Sequence, residues 1–253
     1  MRWGPGAQHL SWLTARPFAH RGLHDRARGI IENTASAVAT AIEHGYAIEV
    51  DLQRTGDGEA VVFHDAILER LTNGEGAVAA HSLRQLQQLS ITGSRDRIQS
   101  LDELLDQVQG RAALVLELKS LWDGCGPLEQ RVARALSGYR GPVAVMSFDP
   151  DSVAALAHYG PRLVRGFTCS IDGEVTDGEH LSAARRRAVS TPAILEQLAP
   201  DFIAHQVRSL PSPLSRWARR HGRPVLTWTV RSASDRRQAS LFADQMIFEG
   251  FTP

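Results

Sequence analysis

Eight β-prone, apolar runs recur along this chain with helix-patterned segments between them, and that alternation limits the fold more than any other feature. The runs lie at 18–21, 47–53, 114–119, 143–148, 164–168, 202–206, 225–230 and 246–249. The segments between them carry helix-end signals. Asn33 is placed to cap a helix that buries Ala35, Val38, Ala39 and Ile42, with Gly45 closing it. Ser100 and Glu103 form a capping-box pattern ahead of Leu101, Leu104, Leu105 and Val108, stopped by Gly110. Asp149-Pro150, Thr191-Pro192 and Ser212-Pro213 each read as an N-cap followed by proline at the first helical position. Strands that alternate with helices pair in parallel, and eight such units in 253 residues fit an α/β fold of the (β/α)8 TIM-barrel type better than an open sheet. No glycine-rich nucleotide fingerprint follows the first run, which weighs against a dinucleotide-binding sheet.

No linker, repeat or low-complexity stretch divides the chain, so one domain over 1–253 is expected. It carries a β-hairpin after the second strand and a rim insertion at about 66–98, with a short helix at 83–89. The chain stops soon after the last run, leaving no room for a closing helix. The barrel bottom is therefore expected to be covered by Leu10, Trp12 and Leu13 or by another subunit, which leaves a homo-oligomer open.

In a barrel of this kind the chemistry belongs at the C-terminal ends of the strands. Polar residues gather there. Glu49 and Asp51, two apart, leave one face of a strand. Gly56-Asp57-Gly58-Glu59 then turns the chain back. Centring the turn between Asp57 and Gly58 pairs Thr55 with Ala60, Gln53 with Val62 and Asp51 with His64. In the third strand Leu114, Leu116 and Leu118 face the helices, while Val115, Glu117 and Lys119 point inward.

Glu49, Asp51 and Glu117 form an oxygen-only ligand set, which suits one hard divalent cation, Mg²⁺ or Ca²⁺, rather than zinc. The plainer alternative is a buried ion network with Arg21 and Lys119. Two histidines on the same rim, His20 and His64, favour the metal reading, because paired imidazoles supply the base and the acid for displacement at phosphorus. Arg21 offers a fork of donors to phosphate oxygens and Lys119 a point charge. Phe148 and Trp228 are candidates for the pocket wall. His24 and His205 read as loop or hydrogen-bonded histidines, and those on helices and linkers, among them His9 and His180, are assigned no role. Arg185-Arg186-Arg187 reads as a solvated helix face.

The charge balance bounds the partners. With 28 basic and 28 acidic residues there is no global field to hold nucleic acid or an anionic membrane. No segment approaches the roughly 18 apolar residues of a membrane span, and no leader peptide is legible. Cys125 and Cys169 show no metal or disulfide spacing and read as buried thiols, so a cytoplasmic setting is expected.

The ordered set His20-Arg21-Gly22, Glu32-Asn33-Thr34, Glu49-Val50-Asp51, Thr55 with Asp57-Gly58, Phe63-His64-Asp65, Leu68 with Arg70 and Thr72, and Leu116-Glu117-Leu118-Lys119 resembles the signature of the glycerophosphodiester phosphodiesterase family. That resemblance implies a metal-dependent barrel hydrolysing small glycerophosphodiesters to an alcohol and sn-glycerol 3-phosphate. By the same resemblance His20 and His64 are the catalytic pair, Glu49, Asp51 and Glu117 the metal ligands, and Arg21 and Lys119 phosphate contacts. Two positions depart from the family's pattern. Arg231 stands where asparagine is usual after Trp228-Thr229-Val230, and Phe248-Glu249-Gly250-Phe251 replaces the usual Thr-Asp-x-Pro. These are expected to affect the far rim and leave the catalytic core untouched. Lysophospholipase D or phosphatidylinositol phospholipase-like activity is the rival enzymatic reading. A catalytically silent phosphodiester-binding barrel is the non-enzymatic one, and intact His20 and His64 weigh against it.

Overall fold

Ten strands and ten α-helices follow one another in a computed structural model that describes residues 10–124, 126–170 and 182–253. Cys125, His9 and His180 lie outside them. In chain order the elements are α1 (Trp12–Ala15), β1 (Phe18–Ala19), α2 (Ala35–Glu43), β2 (Ala47–Arg54), β3 (Ala60–Val62), α3 (Leu83–Leu86), β4 (Gln99–Ser100), α4 (Leu101–Val108), β5 (Leu114–Leu118) and α5 (Pro127–Leu136). They continue with β6 (Val143–Ser147), α6 (Pro150–Tyr159), β7 (Val164–Cys169), α7 (Ala183–Val189), α8 (Pro192–Leu198), β8 (Phe202–Gln206), α9 (Pro213–Arg220), β9 (Val225–Val230), α10 (Ala233–Phe242) and β10 (Gln245–Phe248). Eight parallel strands form a ring in the order β1-β10-β9-β8-β7-β6-β5-β2, closed by the pairing of β1 with β2. All eight sequence-predicted runs are barrel strands.

Side-chain alternation sorts the core into two layers. Ile48, Val50, Leu52, Leu114, Leu116 and Leu118 face outward and pack against Val38, Leu104, Leu105 and Val132 of the helices. Phe18, Ala47, Val115, Ala144, Phe202, Ala204 and Leu226 fill the interior, and Leu10 and Leu13 join them from below. The N-terminal segment therefore closes the bottom, fixed to the last strand where the Gln245 side-chain amide donates to the Thr14 carbonyl at 2.9 Å. Gly166 leaves the space that the Phe202 ring occupies, and a Cβ there would collide with it. Gly166→Ala is expected to destabilise the barrel by about 1–3 kcal/mol, the usual cost of overpacking. An unchanged denaturant midpoint would show that the interior repacks freely.

The rim differs from expectation in four places, each with a local cause. β1 ends at Ala19, not Arg21, because Gly22 at φ 77° turns the chain away. The hairpin register is displaced by one residue: Leu52 pairs with Val62, Gln53 with Val61 and Arg54 with Ala60. Its turn centres on Asp57, since Thr55 Oγ1 accepts from Glu59 N at 2.9 Å and donates to Asp57 Oδ1 at 2.6 Å, with Gly58 at φ 83°. Phe63, not His64, therefore lies opposite Asp51 and donates its N–H to the Asp51 carbonyl at 3.0 Å. A one-residue slip exchanges the two faces of a strand, so Phe63 goes into the small core of the rim segment with Leu68, Val78 and Ile91. The cap of α2 is Thr34, whose hydroxyl accepts from Ala37 N, and not Asn33. The insertion helix is only α3, shorter than the predicted 83–89. The predicted capping box at Ser100 and Glu103 is present, as are the side-chain caps at Asp149 and Ser212, while Thr191 makes no such bond. Among the described residues no helix is long and apolar enough to cross a membrane.

Candidate active site

β2 is the strand around which the site is built, because one of its edges is shared between two partners. Its lower end pairs with β1 and its upper end with β3, so the chain after β1 is free to bend over the barrel mouth. On its other edge β5 runs in register, setting Asp51 beside Glu117 and Glu49 beside Val115. His20, Arg21, Glu49, Asp51, His64, Glu117, Lys119, Phe148 and Trp228 all line one cleft of about 1100 Å³ counted to its open mouth. Gln206, Arg208 and Arg231 complete its far wall.

Glu49, Asp51 and Glu117 are buried, and each offers an oxygen within 4.8 Å of the others. Three carboxylates so close and so dry cannot all stay charged without cationic compensation. Burial pushes Glu49 well above the usual carboxylate range, and the neighbouring charges of Asp51 and Glu117 push it further. Asp51 goes the other way: burial would raise it, but Lys119, His64 and Arg21 together outweigh that and hold it well below its ordinary value. Lys119 Nζ pairs with Glu117 and lies 3.3 Å from Asp51 Oδ1. Asn33, in the left-handed region at φ 58°, clasps Asp51 twice, donating to Oδ2 at 2.8 Å and accepting from the Asp51 N–H at 3.1 Å. The strained, oxygen-only cluster fits a hard divalent cation, which would relieve the repulsion that raises Glu49.

Arg21 is also left-handed, at φ 56°, a conformation uncommon outside glycine. That twist brings its backbone N–H to Glu49 Oε2 at 3.0 Å and sends its guanidinium to Glu32 at 2.6 Å. Its Nε lies 3.3 Å from Asp51 Oδ2 but out of hydrogen-bond line, so a buried donor has no bonded partner. An anionic oxygen entering the cleft would satisfy it.

Each histidine is held at Nδ1 by a carboxylate that is itself held by an arginine. His64 Nδ1 meets Asp65 Oδ1 at 2.7 Å, and Arg70 grips both Asp65 and Glu32. The Gln53 side chain donates to the His64 carbonyl at 2.9 Å and fixes the backbone just beyond the ladder. His20 Nδ1 pairs with Glu249, whose other oxygen accepts from Arg231 Nε at 2.8 Å. Burial lowers the His20 pKa to about 4 even though Glu249 opposes the shift, so the ring is neutral near pH 7. Its Nε2 lies 3.9 Å from Glu49 Oε2. Phe148 and Trp228 stand edge to face, 5.4 Å between centroids, on the wall facing Lys119.

The remaining candidates fall away from the chemistry or beside it. His205 is buried, with Nδ1 against the Gln206 carbonyl. His24 brings Nε2 within 4.0 Å of Glu249. Arg185 pairs with Asp151 on the surface, and Cys169 is a buried free thiol. Sequence reasoning missed Asn33 as a clasp, Asp65, Glu32 and Arg70 as a support, and Glu249 as a partner of His20. The first four stood inside the recognised motifs without an assigned role. The expectation that the changes at Arg231 and Glu249 spare the core is overturned, because Glu249 touches His20 directly.

Comparison with known proteins agrees with this geometry. A model of the glycerophosphoryl diester phosphodiesterase family matches residues 20–250. The chain belongs to that family. As one of these enzymes it is a phosphoric diester hydrolase, and hydrolysis of glycerophosphodiesters is the family's reaction. A glycerophosphodiester phosphodiesterase of Caldanaerobacter subterraneus is 28% identical over 86% of this chain and 86% of its own length. One from Bacillus subtilis is 27% identical, covering 86% of this chain and 77% of the relative. The fold matches that of an Oleispira antarctica phosphodiesterase solved with the product sn-glycerol 3-phosphate, with a TM-score of 0.72 and 23% identity over 92% of this chain and 91% of that one. A Thermotoga maritima glycerophosphodiester phosphodiesterase gives a TM-score of 0.68 at 20% identity, covering 91% and 92%.

Proposed function

We propose that this family member, acting as a single catalytic domain, hydrolyses small glycerophosphodiesters to an alcohol and sn-glycerol 3-phosphate with a divalent cation, and that His20 and His64 share the proton transfers. The observation that carries the reading is the placement of two carboxylate-held imidazoles in one cleft with a buried three-carboxylate cluster and an unpartnered Arg21 donor. The product found in the Oleispira antarctica structure supports the same substrate class.

Glu49, Asp51 and Glu117 would hold Mg²⁺ or Ca²⁺. When bound, the cation would supply positive charge to the phosphate oxygens. Arg21 orients the nonbridging oxygens through its Nε, which makes no hydrogen bond within the protein, backed by Glu32, and Lys119 adds charge as the pentacoordinate phosphorus develops. One imidazole, unprotonated, takes the proton of the nucleophile, either water or the glycerol hydroxyl next to the phosphate. The other, protonated, delivers its proton to the departing oxygen as the phosphorus–oxygen bond breaks. With water as nucleophile the two rings have then exchanged protonation states and reset through solvent. With the glycerol hydroxyl a second displacement, in which water opens the cyclic phosphate and the two rings reverse roles, restores them. The paucity of cysteine and the buried Cys169 thiol support a cytoplasmic setting.

The test is a panel of glycerophosphodiesters with choline, ethanolamine, glycerol and inositol leaving groups, together with lysophospholipids. Each is assayed before and after chelation and after return of Mg²⁺ or Ca²⁺. Hydrolysis of the diesters, lost on chelation and restored by one ion, is the expected outcome. Full activity after chelation would remove the cation from the mechanism. Hydrolysis of the lysophospholipids alone would favour the lysophospholipase D reading.

A further inference from the structure

Three adjacent barrel strands end in register. Val230 of β9 stands beside Phe248 of β10, which stands beside Ala19 of β1. The next residue of each strand is therefore brought to the same level of the rim, and these residues are Arg231, Glu249 and His20. Backbone bonds keep them there: Glu249 N donates to the Val230 carbonyl at 3.1 Å and His20 N to the Phe248 carbonyl at 2.9 Å. From that level the Glu249 side chain reaches both neighbours, with Oε1 on Arg231 Nε and Oε2 on His20 Nδ1.

We propose that Glu249 is a positioning residue for His20, and that Arg231 is the clamp that fixes Glu249 in place. The inference rests on the role given to His20 above and adds how this ring is set for it.

The chemistry follows from what a carboxylate can do. Glu249 lies below its ordinary range: burial would raise it, but its bonds to His20 and Arg231 prevail. An ionised carboxylate has only acceptors, so the proton of a neutral His20 must sit on Nδ1. Nε2 is then the bare nitrogen, and it points toward the side of the cleft that holds Glu49. Without the carboxylate both tautomers become available, and the ring loses the bond that fixes its plane. Carboxylates act on imidazole in this way in other hydrolases, holding tautomer and orientation without taking the proton. Arg231 matters because a glutamate has three rotatable side-chain torsions to restrain. With Oε1 held, Oε2 has one direction left. A plain surface ion pair would explain Arg231, which is 56% exposed, but not Glu249, which is 23% exposed and shared with His20. His24, with Nε2 4.0 Å from the same oxygen, and the Arg21 guanidinium also face this pair.

Steady-state kinetics of Glu249→Ala, Glu249→Gln, Arg231→Met and the double variant Glu249→Ala/Arg231→Met test this, with ring ¹⁵N chemical shifts of His20 as an activity-independent readout. Glu249→Ala is expected to lower kcat by about 10- to 100-fold with KM little changed, the range seen when groups that orient functional side chains are lost. Its His20 spectrum should change from one Nδ1-protonated form to a mixture of tautomers. Glu249→Gln keeps an acceptor but no charge, and is expected to fall between the native enzyme and Glu249→Ala. Arg231→Met should cost several-fold alone and nothing more once Glu249 is alanine. A native His20 spectrum and native kcat in a folded Glu249→Ala variant would overturn the proposal, and so would independent, additive effects of the two sites. Absence of diesterase activity in the native enzyme would instead remove the reading it rests on, leaving the ¹⁵N arm to report on the tautomer by itself.

Discussion

Replacing His64 with alanine is expected to lower turnover by about 10²- to 10⁴-fold, the usual span for losing a general acid or base. The fold should barely register the change. His64 lies outside the β2–β3 ladder, its ring is 19% exposed at the cleft, and its backbone is held independently by Gln53. Asp65 keeps Arg70 after the ring is gone, so no buried charge is stranded. A thermal midpoint within a few degrees of native, together with a collapse in kcat, is the signature of a residue engaged in chemistry. Near-native turnover would end its assignment. His20→Ala should lose activity to a similar degree but disturb the protein more, since Glu249 would keep only one of its two partners.

Glu49→Gln is expected to abolish cation binding and with it turnover, by about 10³-fold or more if the ion contributes several kcal/mol to the transition state. The cation-free protein should lose little or no stability. Burial and the charges of Asp51 and Glu117 already disfavour a charged Glu49, and glutamine keeps its shape without that repulsion. The sign of the pH effect follows. Because the folded pKa is raised, a proton competes with the ion, so affinity for Mg²⁺ or Ca²⁺ weakens as pH falls and binding releases protons. Calorimetry in buffers of different ionisation enthalpy measures that release, and a thermal shift with added cation measures the occupancy. A Glu49→Gln variant still stabilised by the ion to the native extent would place the cation elsewhere.

The strands were legible because their pattern is local. Leu114, Leu116 and Leu118 against Val115, Glu117 and Lys119 is a period-two signal that needs no knowledge of partners. Carboxylates and histidines at the ends of such runs then point to one rim once eight strands are assumed to close. The hairpin register was not legible to one residue, because it depends on whether the Thr55 hydroxyl bonds Glu59 and Asp57, and several turns fit the same letters. Asn33 was read as a cap for a related reason: the amide that could cap a helix is also able to clasp Asp51, and only the left-handed backbone decides between them. Glu249 was further out of reach. Its partner lies 229 residues away in sequence, and the contact exists only because β10 is laid beside β1 in register.

That same placement has a kinetic consequence. Among the parallel barrel pairings, β1 with β10 joins the two ends of the chain, so it closes the longest loop, at an entropic cost that grows as the logarithm of the loop length. The carboxylate at His20 Nδ1 arrives across that seam. During refolding, helices and neighbouring strand pairs can assemble from local contacts while the first and last strands are still apart. If His20 acts as proposed, activity is expected to return only when the ring closes, and a stopped-flow refolding experiment in which activity recovers together with secondary structure would overturn that order.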